Sequence, residues 1–306
     1  MAQRSRAQGA PRRRTPAHAG SSAKSKKRTP PWREVEEREA RRPSNRARQA
    51  AKGRRPLAVV YDVDGPRVRL GILWFLTELV ASVAGVSGLA ILFATTAGVA
   101  ALQTAQCLRK HGARPHRQVA GAAAAVLPVA AAVTTGLLGV AILGLAGVAL
   151  FRAYALGASD RRAQPLAIAG ATVRSALFVG FAAACVVVSA RFSLGGAIAL
   201  LLLAAAYETG DYIIGSGAAN PFEGPVAGAT AVLVVSFAIT AIGVRPFVFP
   251  DSFVLGAMAA VLCPLGQLAA SAILPANDAK ASAVRRLDSL VLLAPAWAFA
   301  VGILVK

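Results

Sequence analysis

Three carboxylates and four glycines interrupt a very apolar part of the sequence. Residues 207–225 read YETGDYIIGSGAANPFEGP, lie between two long apolar stretches, and contain Glu208, Asp211 and Glu223 but no basic residue. Glu208 and Asp211 share one helix face if the preceding helix continues through Tyr207. Two carboxylates on one face can hold a divalent cation. The same spacing is also common at solvated helix ends, so both interpretations stay open.

Another carboxylate lies far along the chain, beside two arginines. Asp288 closely follows Arg285 and Arg286 and opens the last apolar segment. The helix dipole favours a carboxylate in a first helical turn, which needs no function. The position also suits a site for phosphate and Mg²⁺, because Mg²⁺ usually takes one or two carboxylates together with substrate phosphates.

The elements that must position these residues are membrane-spanning helices. Of the 306 residues, 56% are hydrophobic and 16% are charged, a balance too apolar for a soluble domain of this size. A spanning helix needs about 20 apolar residues. The apolar segments predict about nine spanning helices: two within 70–107, joined near Gly85 to Gly88, and one each at 119–135, 137–156, 168–189, 193–207, 226–244, 253–274 and 288–305. We therefore expect an all-α integral membrane protein, with its membrane domain at residues 57–306.

Residues 1–56 form a basic tail, and their composition predicts disorder. Residues 1–55 hold 18 of the 34 Lys and Arg against four Glu, and they contain too few apolar residues to form a core. A tail of this kind can bind anionic lipid headgroups or nucleic acid. A solvated tail that only fixes the topology is the simpler interpretation.

Basic residues in the predicted connections gather on one side of the membrane. That side holds Arg109, Lys110, Arg114, Arg117, Arg161, Arg162, Lys280, Arg285 and Arg286. By the positive-inside rule this side is cytoplasmic, as is the N-terminus. The excess of Arg over Lys and the Ala-rich helices are typical of a bacterial gene of high GC content. The expected location is therefore the bacterial cytoplasmic membrane.

Four short polar motifs follow one another in the C-terminal third of the chain. They are E-T-G-D-Y at 208–212, P-F-E-G at 221–224, G-Q-L at 266–268 and R-L-D-S at 286–289. Their order and spacing resemble the motifs D-x-G-A-Y, T-W-E-G, G-D-L and R-x-D-S of the phosphatidate cytidylyltransferase (CDP-diacylglycerol synthase) family. The multi-span layout of this chain is similar to that family as well.

The resemblance implies an enzyme of phospholipid biosynthesis that transfers a cytidylyl group from CTP to phosphatidate, giving CDP-diacylglycerol and pyrophosphate. It implies Mg²⁺ as the cofactor, with Glu208, Asp211 and Asp288 as its ligands, and catalytic roles for Asp288 and Glu223. It also implies substrate contacts by Arg285, Arg286, Lys280, Asn220, Gly224 and Ser289. The partners would be CTP, phosphatidate and the lipid bilayer, and homodimer formation stays open.

Departures from the family pattern support two other hypotheses. The aspartate of G-D-L is Gln267 here, the first aspartate of the family's D-R-x-D is Arg285, and the lysine-rich and H-G-G segments are missing. Each charge-assisted phosphate contact contributes about 1.5–3 kcal/mol, so these changes weaken binding of CTP and Mg²⁺. The first alternative is therefore a non-catalytic relative that binds lipid or a partner protein. The second is a small-solute transporter, suggested by Glu78 and Arg174 within the spans.

Overall fold

The computed structural model describes residues 67–157, 164–216, 220, 222–243, 247, 249–275 and 281–305. These residues form nine α-helices and one short 3₁₀ helix at Val284–Arg286, and they include no strand. The α-helices are α1 Arg67–Val83, α2 Gly85–Lys110, α3 Arg117–Val133, α4 Thr135–Gly157, α5 Pro165–Phe192, α6 Leu194–Gly215, α7 Glu223–Ile242, α8 Asp251–Ile273 and α9 Leu290–Leu304. The prediction of an all-α protein is confirmed. The basic tail at 1–56 and Lys280 lie outside the described residues.

Six of these helices are long and apolar enough to cross a bilayer, as in a multi-pass membrane protein: α2, α4, α5, α6, α7 and α8. The three others, α1, α3 and α9, have shorter apolar stretches. Helix α3 has 17 residues and α9 has 15, below the length of about 20 residues that an untilted span requires. The count of nine spans therefore stays a prediction.

The outer surface of the bundle is apolar, and its interior is built from small side chains. Val83, Leu143 and Ile242 are 86%, 75% and 76% exposed. Such exposure is costly in water but not in lipid, where helices associate through close packing rather than the hydrophobic effect. Helix α5 lies at the centre and packs against α2, α3, α4, α6 and α9. Its buried face consists largely of Ala, Gly, Val and Ser.

The breaks between consecutive helices follow local sequence signals. The predicted turn near Gly85 to Gly88 is confirmed at Ala84, where α1 ends, and Gly85 starts α2 with a φ of 69°. A positive φ costs glycine little because it has no Cβ. Between α5 and α6, the side chain of Ser193 caps the new helix by accepting a hydrogen bond from the Gly196 amide at 3.1 Å.

One end of the bundle gathers the polar connections, and we call it the charged end. Gln103 of α2 accepts a hydrogen bond from the Ala283 amide at 2.9 Å, and the His116 amide donates to Thr172 at 2.9 Å. Arg174 donates to the carbonyl oxygens of Ala272 and Ile273, at 2.9 and 2.6 Å. Those carbonyl groups lie at the C-terminal end of α8, where they have no hydrogen-bond partner within the helix. Arg174 donates to them, and this structural role accounts for its position without a role in transport.

Candidate functional site

Helix α6 carries Glu208 and Asp211 on one face, because it continues past Tyr207 as far as Gly215. Asp211 is buried and Glu208 is half-buried. Two glycines allow α6 to lie very close to α7. A Cβ on Gly210 would lie 2.8 Å from the Ala227 carbonyl oxygen, and one on Gly228 would lie 2.7 Å from the Tyr207 ring. Gly210 and Gly228 therefore let α7 pack directly against the part of α6 that carries the two carboxylates.

The turn before α9 brings Asp288 and Ser289 against α8. Both residues are buried, with Asp288 5% exposed and Ser289 fully covered. The contact depends on Gly266, because a Cβ there would lie 2.6 Å from the Asp288 carbonyl oxygen and 2.9 Å from that of Ser289. The glycine of the G-Q-L motif thus has a packing role that its sequence context did not reveal.

Side chains from α1, α6, α8 and the turn before α9 meet at the charged end in what we call the polar cluster. Its members are Glu78, Glu208, Asp211, Gln267, Arg285, Arg286, Asp288 and Ser289. Ser289 donates a hydrogen bond from Oγ to Glu208 Oε1 at 2.8 Å, and its amide donates to Asp288 Oδ1 at 2.7 Å. Arg285 Nη1 lies 3.8 Å from Asp288 Oδ2 and donates to Ser271 Oγ at 3.3 Å. Ser289 therefore connects the carboxylate of α6 to the turn before α9.

Gln267 occupies the position at which the family motif has an aspartate. Its Oε1 accepts a hydrogen bond from the Tyr207 hydroxyl at 3.2 Å, and its Nε2 donates to Asp211 Oδ2 at 3.4 Å. An amide can do both because it has an acceptor and a donor end, whereas a carboxylate could only accept. Gln267 therefore orients Asp211 without adding negative charge.

Glu78 belongs to the cluster, although the sequence did not assign it to the site. It is 5% exposed and lies within electrostatic range of Glu208 and Arg286. One feature of the sequence could have indicated its role: Glu78 is the one charged residue in 70–107. A lone buried carboxylate in an apolar helix requires a partner. Only the packing of α1 against α6 shows which partner it has.

The polar cluster holds more negative than positive groups. Four carboxylates, on Glu78, Glu208, Asp211 and Asp288, are accompanied by the two guanidinium groups of Arg285 and Arg286. Burial raises the pKa of Asp288, in the turn before α9, and the nearby Arg285 opposes this shift. Burying unbalanced charge is costly, and a bound cation would relieve it.

The carboxylate oxygens of the polar cluster are of the ligand type that Mg²⁺ prefers. Within the described part of the chain, no three His, Cys, Asp or Glu side chains are grouped closely enough to hold a metal ion. The carboxylates instead make the internal contacts described above. Binding a cation would therefore require the side chains of Glu208, Asp211 and Asp288 to turn toward one another.

The remaining predicted site residues lie at the start of α7 or outside the described residues. Glu223 is exposed as the first residue of α7, and Gly224 is buried next to it. Asn220 is exposed, and its Oδ1 accepts a hydrogen bond from the Phe222 amide at 3.2 Å. Neither Glu223 nor Asn220 has a hydrogen bond or ion pair to a described residue of the polar cluster. Of the predicted residues, the structure brings together Glu208, Asp211, Arg285, Arg286, Asp288 and Ser289.

Replacing Gly266 with alanine should displace the turn before α9. The added Cβ would meet backbone oxygens, which cannot move aside as a flexible side chain can. We expect a loss of about 1–3 kcal/mol in stability, the usual cost of overpacking. Thermal unfolding of the purified protein in detergent measures this. Gly170→Ala is the matched control, because its Cβ would meet no atom within 4 Å. Equal melting temperatures for both variants would contradict the close contact.

No protein-family model, no curated protein and no solved structure matches this chain. What the polar cluster can do therefore follows from its own residues. Buried carboxylates, two guanidinium groups and a hydroxyl at one end of a membrane bundle suit a substrate that carries phosphate and a cation.

Proposed function

We infer that this protein is a membrane-embedded cytidylyltransferase that uses CTP and phosphatidate, with the polar cluster as its active site. One observation carries the proposal. Segments far apart in sequence, at 208–211, 267 and 285–289, meet through direct hydrogen bonds across 56 and 81 residues. These are the same segments that resemble motifs of the cytidylyltransferase family. The contact between these segments supports the proposal separately from their order along the chain, because the order of motifs in a sequence does not determine which of them touch.

The reaction joins two phosphates and needs no covalent intermediate with the protein. An oxygen of the lipid phosphate attacks the α-phosphorus of CTP, a new P–O bond forms, and the bond from that phosphorus to the bridging oxygen of the β-phosphate breaks. Pyrophosphate leaves with the electron pair of the broken bond. Such a transfer requires mainly orientation of the two phosphates and neutralisation of their charge.

The residues of the polar cluster match these requirements. Arg285 and Arg286 would bind phosphate oxygens, because the guanidinium fork suits bidentate contacts. Glu208, Asp211 and Asp288 would hold Mg²⁺, which when bound neutralises charge on the triphosphate. Ser289 and Gln267 position two of those carboxylates through their hydrogen bonds to Glu208 and Asp211. Glu223, Gly224, Asn220 and Lys280 would contact the substrate from the α6–α7 and α8–α9 connections.

The proposed orientation has nine spans, the N-terminus in the cytoplasm of a bacterial cell and the charged end on the cytoplasmic side. It places the polar cluster where CTP arrives. A cysteine introduced at the exposed Ser282 should react with a membrane-impermeant maleimide in inverted vesicles but not in intact spheroplasts. Thr134→Cys, in the exposed α3–α4 connection, should show the opposite pattern. The native cysteines are buried and give little background. Labelling of both sites from one side would exclude this topology.

The decisive experiment is CTP-dependent formation of CDP-diacylglycerol by the purified protein in detergent with Mg²⁺ and phosphatidate. Turnover supports the proposal. The second candidate function is a non-catalytic protein that binds lipid or a partner. It is favoured by the internal contacts of Gln267 and of Arg285, which engage part of the donor set with the protein itself. Absence of turnover together with absence of Mg-CTP binding by calorimetry would favour that candidate.

A further inference from the structure

A second polar feature of the charged end is a cavity of about 800 Å³ where α2, α3, α4 and α5 meet. It shares no residue with the polar cluster. Its polar walls are strongly basic, with side chains from α2, the α2–α3 connection, α3 and α4: Arg109, Arg114, His116, Arg117 and Arg152. No Asp or Glu is among the described residues that line it. The cavity therefore has the charge of an anion-binding site.

Three of the four arginines that line the cavity make no polar contact with the described residues. The side chains of Arg109, Arg117 and Arg152 form no ion pair or hydrogen bond with any described residue. His116 Nε2 is buried and has no hydrogen-bond partner among the described residues. Burial lowers the pKa of His116, and the nearby Arg152 lowers it further, as expected beside uncompensated positive charge. A bound anion would relieve both the repulsion and the unpaired nitrogen.

The remaining lining of the cavity is mostly apolar, and exposed apolar side chains lie near it in sequence. Its apolar residues are Leu102, Pro115, Val119 and Ile168, and Gln118 is the other polar one. Phe151, next to Arg152 in sequence, and Leu166, two residues before Ile168, are 72% and 67% exposed. A soluble anion would make no favourable contact with these apolar side chains. A phospholipid uses both parts, since its headgroup carries the charge and its chains stay in the bilayer.

We propose that this cavity binds the phosphate of an anionic phospholipid of the adjacent leaflet. The phosphodiester would contact Arg117 and Arg152 from two helices, with Arg109 and His116 beside it. The acyl chains would lie along Leu102, Val119 and Ile168. The proposal does not depend on cytidylyltransferase activity, because it uses none of the residues of the polar cluster.

Lipid binding by the full-length protein tests the proposal. The probe is short-chain phosphatidylglycerol, titrated into protein in neutral detergent and followed by calorimetry. Phosphatidate is avoided, since the polar cluster is proposed to bind it. We expect Arg117→Gln and Arg152→Gln each to weaken binding about tenfold, the effect of losing one charge-assisted contact. Lys110→Gln is the matched control, because this exposed residue ends α2 outside the cavity.

Further measurements distinguish a lipid site from nonspecific electrostatic attraction of anions and from a site for a soluble anion. Short-chain phosphatidylcholine should bind at least about tenfold more weakly than phosphatidylglycerol. Arg117→Lys keeps the positive charge but loses the bidentate guanidinium group, so its affinity should be intermediate. We expect its melting temperature to equal that of the wild type, which would show that the fold is intact. Equal losses for Lys110→Gln would mean unspecific attraction and would overturn the proposal. Equal competition by inorganic phosphate or CTP would also overturn it, since the site would then serve a soluble anion.

Discussion

Replacing Asp288 with asparagine will reduce CTP-dependent formation of CDP-diacylglycerol at least about hundredfold, the size of effect seen when a key charged or hydrogen-bonding group is removed from an active site. The substitution removes one negative charge from the centre of the polar cluster. It preserves shape, and the new amide oxygen can still accept the bond that the Ser289 amide now donates to Asp288 Oδ1 at 2.7 Å. Because the cluster holds more carboxylates than guanidinium groups, losing Asp288 should cost less stability than losing Arg285, and the expected loss is chiefly one of function.

The measurement is a radiolabelled-CTP assay on purified protein, with unfolding followed in parallel. Asp251→Asn is the matched control, because it makes the same chemical change at the first residue of α8, which follows the connection from α7. We expect its activity to equal that of the wild type. Glu223→Gln should lower activity less than Asp288→Asn, since Glu223 is exposed and has no bond to the described residues of the cluster. Full activity in Asp288→Asn would remove the polar cluster from the reaction.

The positions of the helices could be predicted from the sequence because hydrophobicity is a local property. Long apolar runs separated by charges and glycines gave segments close to the observed helices, including the break beside Gly85. The exact ends of the helices could be predicted less well. Helix α6 extends to Gly215 rather than ending near Tyr207, because Asp211 and Gln267 satisfy each other's polar groups inside the bundle. The number of spans also stays open, because α1, α3 and α9 have shorter apolar stretches than the other six helices.

The composition of the polar cluster could be predicted only in part, because it depends on contacts between distant segments. Spacing predicted that Glu208 and Asp211 share a face, and the position of Asp288 beside two arginines made it a further candidate. Neither signal could bring Glu78 to the cluster, since no local pattern shows which helix packs against α1. The resemblance also grouped Glu223 with the other carboxylates by motif order, whereas the start of α7 leaves it exposed.

Removing Arg285 will destabilise the protein more than any other single change in the cluster. The side chains of Arg285 and Asp288 are 17% and 7% exposed, so Asp288 is buried and Arg285 is largely shielded from solvent. Loss of one partner of a buried pair typically costs about 3–5 kcal/mol, because the remaining charge is left uncompensated. Here the loss leaves four carboxylates with Arg286 as the one guanidinium group among the described cluster residues. We expect Arg285→Gln to lower the melting temperature in detergent by several degrees.

The matched control is Arg191→Gln at the opposite end of the bundle. Arg191 is exposed and donates one hydrogen bond of 3.3 Å to the Ala131 carbonyl oxygen. Its replacement should change stability by no more than about 0.5 kcal/mol, as is usual for surface substitutions. A loss for Arg191→Gln as large as that for Arg285→Gln would show that the effect does not come from the buried charge.

A double substitution separates charge balance from general damage to the cluster. Arg285→Gln combined with Asp288→Asn removes both charges, so the double variant should be more stable than Arg285→Gln alone. Stability losses that simply add would show that the two residues do not interact. Turnover should stay low in the double variant, because it lacks both the Asp288 carboxylate and the Arg285 guanidinium group that is proposed to bind phosphate. Recovery of stability without recovery of turnover would show that these two side chains are needed for the reaction and not only for the fold.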